Sequence, residues 1–108
     1  MADSRGLLGA DHDPRRVVPL REIGEFQRWI EREAPSPAAQ RAARHFLAEA
    51  GDAAWRAPSV PVEALSNQPE YEVREVAVPV DDEARPVQIW YRHTYANDAV
   101  DVIAITNR

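Results

Sequence analysis

The sequence predicts an α+β protein in which a two-helix hairpin packs on a three- to four-stranded antiparallel sheet. Apolar residues recur at three- and four-residue spacing between positions 21 and 50, which is the period of amphipathic helices. After position 70 the apolar period becomes two, the period of half-buried strands. The stretch between the two regimes holds Pro58, Pro61 and Pro69 and reads as a connection. At 108 residues and 44% apolar content the chain supports one core and not two. The expected division is a flexible N-terminal tail at 1–16 and a single α+β domain at 17–108.

The elements follow in order. Residues 1–16 are polar, carry Gly6, Gly9 and Pro14 and show no periodicity, hence the tail. Val17, Val18 and Leu20 form a short apolar run that suits an edge strand, because Pro19 cannot donate to a ladder. From Arg21 to Glu33, Ile23, Phe26, Trp29 and Ile30 fall on one helical stripe, and Pro35 ends the helix. Ser36 is a suitable N-cap and Pro37 a suitable first residue for a second helix that runs to about Ala50. Its stripe of Ala39, Ala42, Ala43, Phe46, Leu47 and Ala50 lets it approach its neighbours closely, with Gly51 as the residue that stops it. In the connection, Ser66-Asn67 resembles a turn, and Trp55, Val60, Val62 and Leu65 are available to pin it.

Three strands follow, Tyr71 to Val80, Val87 to Tyr95 and Val100 to Thr106, joined by short hairpins. The first changes parity between Val73 and Val76, and a bulge near Arg74 and Glu75 is expected to restore a single inward face.

Composition narrows the chemistry. With no cysteine, neither a disulfide nor a thiolate site can exist, and His12, His45 and His93 lack metal-ligand spacing, so neither metal nor cofactor is expected. All thirteen basic residues are arginine, yet the net charge is -5, which opposes a general role in gripping nucleic acid. No apolar run approaches the roughly 20 residues of a membrane span, and the first residues lack the apolar core of a secretory signal, so a cytoplasmic location is expected.

Two stretches carry a family resemblance. One is Ser36-Pro37-Ala38-Ala39-Gln40-Arg41-Ala42-Ala43-Arg44-His45-Phe46-Leu47. The other is the succession Pro61-Val62-Glu63-Ala64-Leu65, Tyr71-Glu72-Val73-Arg74, Val87-Gln88-Ile89-Trp90-Tyr91 and Val102-Ile103-Ala104-Ile105. Together with the order of elements, these resemble the RelE/ParE superfamily of toxin–antitoxin toxins over roughly residues 17–108. The resemblance implies one of two activities, ribosome-dependent mRNA cleavage or poisoning of a protein target without nuclease action.

Cleavage needs a base for the ribose 2′-OH, an acid for the leaving oxygen and cations around the phosphorane. By resemblance Glu63 matches the base and Arg74 a phosphate-binding arginine. Arg92, His93 and Arg108 complete the set of candidate catalytic residues. Gln88 stands where the family has a further arginine, and Thr106-Asn107-Arg108 stands in place of its usual His-Tyr or Lys/Arg/Tyr ending. Loss of a single oxyanion donor typically costs about 10²–10³ in rate. The expected function is therefore protein binding, to a small antitoxin-like partner or a cellular target, with a degenerate nuclease site and a homo-oligomer left open. The alternatives are a metal-independent ribosome-dependent endoribonuclease and a small acidic immunity or accessory protein.

Overall fold

A computed structural model describes residues 20–50, 56, 58–66, 69–97 and 99–108 of the chain. The order of elements is β1 (Leu20–Arg21), α1 (Glu25–Glu33), α2 (Pro37–Glu49), β2 (Val60–Pro61), a 3-10 turn (Glu63–Leu65), β3 (Tyr71–Val78), β4 (Val87–Thr94) and β5 (Ala99–Thr106). The tail expected at 1–16, the strand residues Val17 and Val18, and Gly51, Trp55 and Asn67 lie outside the described residues.

The class is α+β, but the sheet is wider than expected and mixed. Its five strands run in the order β1-β5-β4-β3-β2. β1 lies parallel to β5 with Leu20 opposite Val100, and every other pair is antiparallel. The two extra edges are two-residue strands, too short to show any period. Pro61 is tolerated in β2 because that strand is an edge and its outer side needs no donor.

The bulge expected at Arg74 and Glu75 is absent. β3 and β4 keep one register from Tyr71 opposite Thr94 to Val78 opposite Val87. Val73 instead faces away from the helices and is buried on the other side of the sheet. The Val62 N–H donates to the Val73 carbonyl at 2.8 Å, and the Val73 N–H donates to Ser66 Oγ at 2.7 Å. The irregularity lies in β5, where Val102 pairs with Tyr91 and Ala104 with Trp90, leaving Ile103 over. That extra residue shifts the parity of β5, so Val100, Val102 and Ile105 all join the core despite their uneven spacing.

The core lies between this sheet face and both helices. Trp29, Ala39, Ala43, Val87, Ile89, Tyr91 and Val100 are fully buried in it. α1 is shorter than the Arg21–Glu33 span expected. Gly24 sits at φ 85, a left-handed conformation that starts the helix only at Glu25. Ile23 is left outside the helix and 75% exposed, not on the buried stripe. The Glu22 carboxylate reaches forward and accepts the Phe26 N–H at 2.8 Å, supplying the cap that Gly24 lacks.

α2 begins as its sequence predicts. Ser36 Oγ accepts the Ala39 N–H at 3.1 Å and Pro37 occupies the first turn. Between the helices Ala34 takes φ 46, ψ 56, with its N–H bonded to the Ile30 carbonyl. A left-handed residue with a Cβ is strained by roughly 1 kcal/mol relative to glycine. Ala34→Gly is therefore expected to raise the unfolding free energy by up to roughly 1 kcal/mol. Thermal unfolding checks this, and a lowered midpoint would contradict it.

Candidate functional site

The register of β3 and β4 decides where the candidate residues sit. Arg74 pairs with Tyr91 and Glu72 with His93, so Arg74 and His93 share the helix-side face near one end of the sheet. Arg92, one position away from both Tyr91 and His93, points to the opposite face. There it lies 3.9 Å from Asp101 and stacks over the Tyr71 ring at 5.7 Å. Arg108 follows Thr106, which pairs with Gln88, whereas His93 pairs with Val100. Five residues of strand separate these two positions, about 17 Å. Glu63 opens the 3-10 turn with its side chain exposed. The five residues thus occupy two faces and both ends of the sheet, and only Arg74 and His93 come together.

Around Arg74 the fold builds a polar network that sequence reasoning missed. Arg74 donates from Nε to Ser59 Oγ at 2.6 Å, from Nη2 to the Ser59 carbonyl at 2.9 Å and from Nη1 to Glu72 at 2.7 Å. Arg56 approaches the other oxygen of Glu72 at 3.4 Å. The Tyr91 hydroxyl hydrogen-bonds Ser59, while its ring lies 6.4 Å from Phe46 and nearly parallel to it. Tyr95 meets the His93 ring edge-on at 5.2 Å.

Burial raises the Tyr91 pKa, only partly offset by Ser59, Arg74 and Arg56, and burial with the Glu72 charge raises that of Tyr95. Both phenols stay protonated at neutral pH. The Arg74 side chain is only 11% exposed, and Ser59 is buried. A cation bound on three sides to its own protein ties Ser59 to the sheet and shares Glu72 with Arg56. Its signature in sequence is weak, because Ser59 and Arg74 are fifteen positions apart with no period linking them. Among the described residues no group of three or more acidic or histidine side chains is placed to hold a metal.

No family model, curated protein or solved structure matches this chain.

A groove of about 530 Å³ runs between α2 and the end of β3. Ala38, Ala42, Phe46 and Val78 supply its apolar surface, while Arg41, His45, Glu49 and Asp81 are the charged or titratable side chains beside it. Ala38, Ala42 and Phe46 stand four residues apart and so share one face of α2, beside the fully buried Ala39 and Ala43. The sequence shows this as an apolar arc on α2 broader than one sheet contact needs. Among the described residues β3 is unpaired beside the groove, because β2 pairs only with Arg74 and Glu75. Since Val73 turns its carbonyl toward β2, the next outward-facing backbone groups are those of Glu75 and Ala77, and then of Pro79, which has no N–H.

Proposed function

We propose that this protein acts by binding another protein rather than by catalysis, as a RelE/ParE-like member of the toxin class with a small antitoxin-like partner. The open groove between α2 and β3 is the observation that carries the reading. Its occupant is an amphipathic helix. A strand added along β3 would find at most Ala77 as a free donor before Pro79 ends the ladder, whereas a helix needs only apolar side chains for the Ala38, Ala42 and Phe46 floor. Basic groups on that helix suit Glu49 and Asp81, and an acidic one suits Arg41. A nuclease would need Glu63, Arg74, Arg92, His93 and Arg108 around one phosphate, and their spread over the sheet weighs against that reading.

The test is calorimetric titration of the full chain with the product of the adjacent reading frame. Ala42→Glu places a charge on the groove floor without emptying the core. It is expected to weaken binding at least about tenfold, since a desolvated unpaired charge costs more than 1.4 kcal/mol, with the thermal midpoint held within a few degrees. Unchanged affinity would remove the groove from the interface. Failure of that partner to bind at all, with mRNA cleavage that disappears in Glu63→Ala, would overturn the protein-binding reading itself.

A further inference from the structure

β1 lies parallel to β5 but pairs with it only at Leu20–Val100 and Arg21–Asp101. The chain then turns at Gly24 into α1, so among the described residues no strand flanks β5 on that side from Val102 onward. Val73 turns its N–H and carbonyl toward β2, and alternation across the ladders therefore turns those of Ile105 and Asn107 outward, away from β4. Side chains of α1 meet them. Arg32 Nη2 donates to the Ile105 carbonyl at 2.6 Å, and Glu33 accepts the Asn107 N–H at 3.0 Å. In a parallel ladder one residue donates to the carbonyl before its partner and accepts the N–H after it. Ile105 and Asn107 flank Thr106, so Arg32 and Glu33 together make the two bonds of one residue of a parallel strand, on the side where β1 has stopped.

The strand behind this edge has the composition of one that pairs readily with its own copies. Ala99–Thr106 is rich in β-branched residues, has neither proline nor glycine, and carries one charge, Asp101, which Arg21 meets at 2.6 Å. Left bare, such an edge is a template for another chain. We propose that Arg32 and Glu33 guard it, holding the outward backbone groups at the end of β5 so that β5 of a second copy cannot pair there. The edge itself selects a second copy as the occupant it excludes. Two identical edges meet antiparallel about a two-fold axis, and the run from Val102 to Thr106 sets no charge against itself. Within the guard Glu33 is buried and also held by the Thr106 hydroxyl at 2.6 Å, whereas the Arg32 side chain is 46% exposed and can be removed without emptying the core.

The guard is independent of the groove, and its test needs no partner. Sedimentation velocity of the full chain is run at about 100 µM, in the range where exposed strand edges associate. Arg32→Ala is expected to raise the weight-average mass at least about twofold over wild type, the step from one copy to a two-fold pair, with the far-ultraviolet circular dichroism unchanged. Should that variant fail to fold, Arg32→Met keeps the aliphatic stem and removes the same donor. Adding Ile103→Lys to Arg32→Ala puts a charge into the uncharged run, as natural edges do, and is expected to restore the wild-type mass. Val87→Ala lowers stability through the core and leaves both edges intact, so it is expected to sediment as wild type. A folded guardless chain that sediments as wild type overturns the proposal, as does an association that Val87→Ala reproduces or that Ile103→Lys leaves in place.

Discussion

Arg74→Ala is expected to lower the unfolding free energy by about 2–4 kcal/mol, between the cost of losing hydrogen bonds to a charged group and that of removing one partner from a fully buried ion pair. The argument rests on what is left behind. Ser59 loses the donors to its hydroxyl and its carbonyl, and Glu72, whose side chain is 15% exposed, keeps only the longer approach of Arg56. Arg74→Lys should recover part of the loss, because an ammonium can face Glu72 but cannot span Ser59 and Glu72 as the planar guanidinium does. Urea denaturation measures both variants. A shift below about 0.5 kcal/mol for Arg74→Ala would show that the connection does not depend on this tie. A phosphate-binding arginine behaves in the opposite way, since its removal costs activity and little stability.

That contrast shows how far the sequence could be read. The start of α2 was legible because Ser36 and Pro37 act within one turn of the chain, and the observed cap is the one they specify. The three long strands were legible because eight residues are enough to show a period. β1 and β2, at two residues each, were not, and the sheet proved mixed where an antiparallel one was expected. A change of parity in the sequence does not by itself mark a bulge. Val73 against Val76 suggested a bulge, but there the strand is regular and Val73 turns its buried side chain to the other face, with its carbonyl held by Val62 and its N–H by Ser66. The real bulge, at Ile103, falls in an unbroken apolar run where every register looks equally good.

The roles of single strand residues are hard to read for a related reason. A lone arginine in a strand looks the same in sequence whether it awaits a phosphate or holds a serine fifteen residues away. Arg92 was grouped with His93 because they are neighbours in the chain, yet adjacent residues in a strand face opposite ways. The groove shares Ala42 and Phe46 with the apolar stripe read on α2, whereas Ala38 lies outside that stripe. Its depth depends on where β2 stops pairing with β3, which is a tertiary outcome.

The second large effect is expected at the carboxylate of Glu33, where the end of α1 meets the end of β5. Burial alone would push its pKa up, but the Asn107 N–H at 3.0 Å, the Thr106 hydroxyl at 2.6 Å and Arg32 outweigh that, and the net shift is downward. Arg108 stands 3.7 Å away, and Arg32 also donates to the Ile105 carbonyl at 2.6 Å, so one clasp joins helix and strand. With the folded pKa below the unfolded one, Glu33 contributes its full stability above the ordinary carboxyl value near 4.5. The contribution fades as the pH falls from there through the depressed folded value. Glu33→Gln keeps the shape but loses the charge, and at pH 7 it is expected to cost about 2 kcal/mol, in the range of hydrogen bonds to charged groups. The gap between variant and wild type should shrink on acidification, because protonation makes the wild-type side chain neutral as well. Urea midpoints measured at pH 7, 5 and 3 (roughly bracketing the titration) check the sign. A gap that stays constant or widens toward pH 3 would mean that the clasp holds through shape and not through the ionised carboxylate.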